Sequence, residues 1–298
     1  MSVINPYRFP CMTWFDAIIL ALVEGITEFL PISSTAHLMF AEHLMGVTST
    51  DFTKMFTVSI QFGAILAVVV TYWPRFIQGI SFYKVLGFAV IPALVLGKLF
   101  DDKIEAVLEK PLPVAIVLVV GGVVLVFIDR LFLSSAQETR TEVGVSKGFR
   151  IGLWQCLALM PGVSRSAASI IGGMQQGLSR QKAAEFSFFL AVPTMAAVTL
   201  YSIFLKSWVY KDAPMKGYEM ILSSSENMVL FFIGNAVSFL VAFLAIRTFI
   251  GFLTRYGFKI WGFYRIVVGL CLLIYFTFNP SITKENASRT PLKQEVRV

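Results

Sequence analysis

The sequence predicts an all-α, polytopic integral membrane protein. Of its 298 residues, 56% are hydrophobic and only 14% are charged, whereas soluble domains carry about 25% charged residues. Such a chain cannot cover a water-facing surface, which excludes an ordinary soluble enzyme, a coiled coil and a disordered protein. The apolar segments are continuous rather than alternating, and this excludes a membrane β-barrel.

The net charge of +7 comes from 25 Lys and Arg residues against 18 Asp and Glu residues. In a membrane protein, basic loops lie on the cytoplasmic face beside anionic lipid. The charge therefore predicts the lipid bilayer as a partner and no nucleic acid. A basic site for a phosphorylated substrate is compatible with the same charge balance.

Apolar segments recur along the whole chain, and six of them are candidate membrane spans. A helix needs about 20 residues to cross a hydrocarbon core about 30 Å thick. The six candidates are 55–73, 82–100, 112–128, 183–205, 228–250 and 260–278. The polar segment 206–226 between two of them is predicted to be a solvated loop.

Two further pairs of apolar segments are each interrupted by a proline. Pro31 separates 12–30 from 32–46, and Pro161 separates 149–160 from 163–178. Proline ends a helix and leaves backbone groups without partners. Inside a membrane such a break persists only where it is buried in protein or faces water. We therefore predict two re-entrant helical hairpins.

The two halves of the chain resemble each other. The spans that follow the breaks match at a constant offset of 130, so that Phe56 corresponds to Phe186 and Ala67 to Ala197. One hairpin and three spans in each half predict two inverted repeats, with a site at their interface near the midplane. The predicted organisation is a single membrane domain (1–298) with a first repeat (12–130), a linker (131–148), a second repeat (149–278) and a polar C-terminal tail (279–298).

Glu24 and Glu28 are four residues apart and share one helical face. An ionised carboxylate within a membrane span costs about 3 kcal/mol or more. Two on one face predict a wet cavity, in which they act as metal ligands or as an acid–base pair. The alternative is a helix end at the interface, where both carboxylates touch water.

Three hydroxyl residues, Ser33, Ser34 and Thr35, follow the first break. They would cap the next helix, whose free N–H groups then point at the cavity and suit an anion such as phosphate. His37 lies in the first turn of that helix. Histidine is the commonest proton-transfer side chain, so we predict a catalytic role for His37, with a packing role as the alternative.

Ser164, Arg165 and Ser166 repeat this arrangement after the second break, with an arginine between the serines. Arginine binds phosphate through a rigid, bidentate fork. Arg165 is therefore predicted to bind substrate phosphate. The alternative is a structural ion pair with Glu24 or Glu28.

Residues 23–37 (VEGITEFLPISSTAH) resemble the glutamate-rich motif of the bacterial undecaprenyl-pyrophosphate phosphatases, also called the bacitracin-resistance family. Residues 161–166 (PGVSRS) and 185–193 (EFSFFLAVP) resemble further motifs of that family, and the match spans nearly the whole chain. Where the sequence departs from the family pattern, one small residue replaces another. Ala36 stands where the family usually has glycine, and 167–169 read Ala-Ala-Ser where it often has Gly-Ala-Thr.

The resemblance implies a membrane phosphatase that hydrolyses undecaprenyl pyrophosphate to undecaprenyl phosphate and inorganic phosphate. This reaction recycles the lipid carrier for peptidoglycan synthesis and gives bacitracin resistance. The resemblance also implies a divalent cation, magnesium or calcium, a location in the bacterial cytoplasmic (inner) membrane, and an active site that faces the periplasmic side. The implied catalytic residues are Glu24, Glu28, Ser34, His37 and Arg165, with Glu24 and Glu28 as the metal ligands and with Ser33, Thr35, Ser164 and Ser166 around the phosphates.

Several alternatives stay open on sequence alone. Either Ser34 or a water molecule attacks the terminal phosphorus, and either Glu28 or His37 takes the proton. His37 is either an acid–base group or itself the nucleophile. A secondary transporter or flippase of polyprenyl phosphate lipids competes with the enzyme, because inverted repeats and re-entrant hairpins are transporter features. Whether the chain forms a homodimer is also open.

Overall fold

A computed structural model of the chain describes residues 12–108, 110–132, 143–211 and 213–279. The all-α, polytopic membrane fold is confirmed, because these described residues include six helices that are long and apolar enough to cross a membrane. Most of the predicted linker and tail lie outside the described residues. Helix starts at Val145, four residues before the predicted start of the second repeat.

The helices of the first half are α1 (Trp14–Thr27), α2 (Ser34–Met45), α3 (Asp51–Thr71), α4 (Trp73–Phe76), α5 (Ile80–Leu99), α6 (Asp101–Leu108) and α7 (Pro111–Leu131). The elements of the second half are α8 (Val145–Gln155), a 3-10 turn (Cys156–Leu159), α9 (Arg165–Gln175), α10 (Arg180–Leu200) with a π turn (Tyr201–Leu205), β1 (Ser207–Tyr210), β2 (Ala213–Lys216), α11 (Gly217–Leu222), α12 (Ser225–Tyr256) and α13 (Lys259–Phe278). The six candidate spans are α3, α5, α7, α10 with its π turn, α12 and α13.

Both predicted breaks are present, and they share one backbone geometry. The residues that precede α2 and α9, Ser33 and Ser164, have φ angles of 70° and 75°. A positive φ is uncommon for a residue with a side chain and costs about 1–3 kcal/mol. The same strained conformation therefore occurs at corresponding positions of the two halves.

The hairpin of each half packs against a span of the other half. Helix α1 packs against α12, and α8 packs against α5. Glycines allow the close approach: a Cβ on Gly25 would lie 2.8 Å from the Ser238 carbonyl oxygen, and one on Gly152 would lie 2.8 Å from the Ala89 carbonyl carbon. Small residues at helix contacts are typical of membrane proteins. The packing is reciprocal, as expected for two repeats, while the inverted orientation stays a prediction.

The prediction of a solvated loop at 206–226 is wrong. Strands β1 and β2 form an antiparallel hairpin in which Trp208 pairs with Met215. Trp208 is buried and its indole N–H donates to the Ser202 carbonyl at 2.8 Å. Helix α11 follows and buries Met220. The segment thus contributes to the apolar core beside α3.

An aromatic cluster fills the space beside the first break. Phe29 contacts Phe188 with ring centroids 5.3 Å apart, and Tyr72 contacts Phe189 at 5.2 Å. The cluster lies beside the N-terminal halves of α5 and α10 and the C-terminal parts of α3 and α12. Its members are Phe29, Tyr72, Phe76, Phe82, Phe188, Phe189 and Phe249.

Inverted repeats place the open ends of the two hairpins on opposite faces of the membrane. Ser49, after α2, and Ser146, at the start of α8, are both exposed. In a background with the native cysteines replaced by serine, we expect Ser49→Cys and Ser146→Cys to react with a membrane-impermeant thiol reagent from opposite sides. Labelling of both variants from one side would reject the inverted arrangement.

Candidate active site

A cavity of about 490 Å³ lies between the two breaks and the C-terminal halves of α5 and α10. Its walls include apolar side chains such as Leu94, Leu159 and Val198, and Lys98 and Asp101 lie at the end where α5 passes into α6. An apolar wall that leads to polar groups suits an amphipathic ligand. Of the sequence-predicted site residues, those that line the cavity are Glu28, Ser33, Ser34, Thr35, Ser164 and Arg165.

Glu28, Ser34 and Arg165 form a hydrogen-bonded cluster across the two breaks. Arg165 Nη2 donates to Glu28 Oε1 at 2.9 Å, and the Ser34 hydroxyl donates to Glu28 Oε2 at 2.6 Å. The side chains of Arg165 and Glu28 are only 13% and 7% exposed. The break geometry thus brings residues 137 positions apart into one charge pair that faces the cavity.

Further contacts hold the Arg165 guanidinium in place. Nη1 donates to the Ser187 carbonyl at 2.9 Å, and the guanidinium lies 5.6 Å from the centre of the Phe29 ring. The Nε–H group is buried and has no hydrogen-bond partner within the described residues. Arg165 therefore forms the ion pair with Glu28, and its Nε–H remains available as a donor.

Glu24 lies one turn before Glu28 and is fully buried. Among the described residues, neither carboxylate oxygen of Glu24 has a hydrogen-bond partner. An unpartnered buried carboxylate requires a proton or a cation, because its desolvation is otherwise uncompensated. The described residues contain no cluster of three or more His, Cys, Asp or Glu side chains that could hold a metal. Two carboxylates are nevertheless enough for Mg²⁺ where substrate phosphates and water complete the coordination.

The second-break serines connect the two hairpins. The Ser166 hydroxyl donates to the Phe29 carbonyl at 2.8 Å, and the Ser164 hydroxyl lies 3.5 Å from the Leu30 carbonyl. Ser164 also accepts from the backbone N–H of Ala167, as a helix cap. Ser166 is fully buried and does not line the cavity. The position of Ser166 therefore favours a structural role, in which it links the two hairpins, over the predicted contact with phosphate.

His37 is not among the residues that line the cavity. Its Nδ1 bonds to the Ser33 carbonyl at 2.8 Å and therefore carries a proton, because a carbonyl only accepts. Its Nε2 bonds to the Tyr264 hydroxyl at 2.9 Å, and the two rings are stacked. Nδ1 thus contacts the strained turn at Ser33, and Nε2 contacts α13. Neither nitrogen bonds to Ser34 or Glu28.

Two residues of α13 that contact the residues of the first break, Tyr264 and Arg265, are not among the predicted site residues. Arg265 is fully buried and bonds to backbone carbonyls at both breaks. The available signal was an arginine within the apolar segment 260–278, because a charge in a membrane span requires a partner inside the protein. No comparable signal identified Tyr264, since tyrosine is common near membrane interfaces.

The chain is similar to known proteins along most of its length. The family described as bacitracin resistance protein BacA matches residues 17–271. An undecaprenyl-diphosphatase from Flavobacterium psychrophilum is 53% identical over 270 residues, which cover 90% of this chain and 98% of the relative. An undecaprenyl-diphosphatase from Aquifex aeolicus is 40% identical over 273 residues, which cover 90% of this chain and all of the relative.

The Arg165–Glu28 contact allows the two predicted roles of Arg165 to be separated. We expect Arg165→Lys to keep the charge but to lose the fork, and so to lower turnover about 10²–10³-fold. Arg165→Ala leaves the buried Glu28 unpaired and should also cost about 3–5 kcal/mol of stability. Adding Glu28→Gln to Arg165→Ala should restore the melting temperature in detergent without restoring activity.

Thermal unfolding and phosphate release, measured on the same preparations, test these expectations for the Arg165 variants. A folded Arg165→Lys protein with near-normal turnover would reduce Arg165 to an ion-pair partner of Glu28.

Proposed function

The chain belongs to the family of the bacitracin resistance protein BacA, and from this premise we infer that it is an undecaprenyl-diphosphatase. It is a membrane hydrolase that converts undecaprenyl pyrophosphate to undecaprenyl phosphate and inorganic phosphate. This activity recycles the lipid carrier for peptidoglycan synthesis and gives bacitracin resistance. The cluster of Glu28, Ser34 and Arg165 at the cavity wall is the observation that links this activity to particular residues.

In the proposed mechanism, Ser34 is the nucleophile and Glu28 is its general base. The Ser34 hydroxyl proton passes to Glu28 Oε2, which it already contacts at 2.6 Å. Ser34 Oγ bonds to the terminal phosphorus while the bond from phosphorus to the bridging oxygen breaks, and undecaprenyl phosphate leaves. Water then hydrolyses the phosphoserine and regenerates the Ser34 hydroxyl with release of inorganic phosphate.

Positive groups neutralise the pyrophosphate as it reacts. Phosphoryl transfer depends mainly on positioning and charge stabilisation. Arg165 supplies a fixed positive charge at the cavity wall, and the N-termini of α2 and α9 direct free N–H groups and positive dipole ends toward the phosphates. Ser33, Thr35 and Ser164 line the same wall and offer hydroxyl donors.

A divalent cation, magnesium or calcium, fits beside Glu24 and Glu28. Glu24 has two carboxylate oxygens without partners, and Glu28 presents its carboxylate on the same helical face. Carboxylate oxygens are the ligands that these cations prefer. When bound, the cation would add charge neutralisation at the pyrophosphate.

The apolar part of the cavity is proposed to hold the first prenyl units of the substrate. Ala93 and Leu94 of α5 and Ala197 and Val198 of α10 form this part. The rest of the chain would extend into the bilayer. By the order of the spans, the cavity and Ser49 lie toward the same face, and we propose that this face is periplasmic and that the membrane is the bacterial inner membrane.

The transporter or flippase reading is disfavoured by the aromatic cluster. Alternating access requires a path to the site from both faces. On the side opposite the cavity, rings of Phe29, Phe188 and Phe189 fill the corresponding space. One-sided access is sufficient for a phosphatase.

Purified protein should release inorganic phosphate from undecaprenyl pyrophosphate in detergent. A chelator should abolish release, and added magnesium or calcium should restore it. Glu24→Gln should remove most activity while leaving the protein folded, because removal of a buried charge does not destabilise the hairpin. Headgroup binding without phosphate release would favour a transporter, and full activity in chelator would reject the cation.

A rapid-quench experiment with substrate labelled in the terminal phosphate tests the role of Ser34. We expect label on a peptide that contains residues 33–37, and no label in Ser34→Ala, with turnover lower by at least about a thousandfold. The control is Ser238→Ala in α12. It removes a buried hydroxyl that has no hydrogen-bond partner among the described residues. Substantial turnover by Ser34→Ala would favour direct attack by water.

A further inference from the structure

We propose that Arg265 is a positioning residue that holds the two helix breaks in the geometry required for phosphoryl transfer. The proposal rests on the proposed function. Arg265 does not line the cavity, so it is not a catalytic residue. It acts through the backbone of the turns that carry Ser34 and Arg165.

The guanidinium of Arg265 contacts both breaks at once. Nη1 donates to the Pro31 carbonyl at 3.3 Å and to the Val163 carbonyl at 2.9 Å, and Nη2 donates to the Gly162 carbonyl at 2.8 Å. A further bond from Nε reaches the Leu118 carbonyl of α7 at 3.3 Å. One side chain of α13 thus connects two turns that are 130 residues apart in sequence.

These carbonyls need a donor because the helices stop at the breaks. A buried carbonyl without a partner costs about 1–3 kcal/mol, and the cost is larger in a membrane, where no water replaces the donor. Arg265 is fully buried. No carboxylate in the part of the chain that the structure describes forms a salt bridge with it. Its charge is therefore balanced by carbonyl dipoles of the breaks.

The orientation of the carbonyls affects the groups that face the substrate. The C=O and N–H of a trans peptide point in opposite directions. Because the Val163 carbonyl points at Arg265, the N–H of Ser164 points away from it. Ser164 and Arg165 line the cavity. By binding the Val163 carbonyl, Arg265 thus orients the second break so that its N–H donors point toward the phosphate.

A glycine makes room for the guanidinium. A Cβ on Gly121 of α7 would overlap the terminal nitrogen of Arg265 and would lie 2.8 Å from its Cζ atom. Gly121→Ala therefore displaces the guanidinium without changing its chemistry. Gly87 of α5 is a matched control, because a Cβ there meets nothing within 4 Å.

The experiment compares Arg265→Lys and Gly121→Ala with wild type and with the controls Arg247→Lys and Gly87→Ala. Arg247 is exposed on α12. We expect kcat for phosphate release to fall about tenfold or more in both test variants, since misplacement by about 1 Å can cost a hundredfold. KM should change less than threefold, because the cavity wall that binds the lipid is intact. Both controls should match wild type.

Hydrogen–deuterium exchange gives a readout that does not depend on activity. In both test variants, exchange should accelerate in peptides that cover residues 29–37 and 160–168. Other peptides of α7 and α13 should keep their wild-type exchange. A wild-type protein without phosphatase activity would defeat the proposed function, whereas an active wild type with unaffected variants would defeat only the role of Arg265.

Three results would overturn the proposal. The first is a kcat within threefold of wild type in folded Arg265→Lys and Gly121→Ala. The second is a raised KM with unchanged kcat, which would indicate ground-state binding. The third is unfolding of both variants, which would make Arg265 a determinant of the fold rather than of the site.

Discussion

The interruption of two helices inside the protein is the constraint on which the rest of the structure depends. Each break exposes backbone groups that a membrane cannot solvate. The two breaks satisfy one another: Ser166 of the second donates to Phe29 at the first, and Arg265 donates to carbonyls of both. Neither hairpin could bury its tip alone. The reciprocal packing of α1 on α12 and of α8 on α5 follows from this need, because it brings the tips together.

The same contacts divide the buried charges into two groups. Arg165 and Glu28 form a close pair at the cavity wall. Within the described part of the chain, Glu24 has no hydrogen-bond partner and Arg265 bonds to backbone carbonyls alone. A buried charge without a counter-charge is costly to stability. Its retention is understandable where a ligand supplies the missing charge or where the charge fixes backbone geometry. The four residues therefore combine one ion pair at the cavity wall with two groups that depend on the site being occupied or correctly shaped.

The sequence was informative where the physical signal is local. Hydropathy located the six spans, proline located the breaks, and the spacing of Glu24 and Glu28 placed them on one face. Facing breaks offered an ion pair of Arg165 with Glu24 or Glu28 only as an alternative, and the structure shows the pair with Glu28. Sequence could not show that His37 turns toward Tyr264, because this contact joins residues 227 positions apart. Nor could it show that 206–226 folds into a hairpin and a short helix, since the burial of Trp208 depends on the neighbouring π turn.

The two halves differ in how they fill corresponding space. At the sequence offset of 130, four bulky members of the aromatic cluster correspond to smaller residues in the opposite half. The pairs are Phe29 with Leu159, Tyr72 with Ser202, Phe188 with Val58 and Phe189 with Ser59. Leu159 lines the cavity, and the Val58 carbonyl accepts from Thr199 of α10, which is next to the cavity residue Val198. Because close packing leaves little free volume, large rings close one side while small side chains leave the other open. A pair of repeats that alternated access would need comparable space on both sides, so the asymmetry in side-chain size favours a fixed, one-sided catalytic cavity.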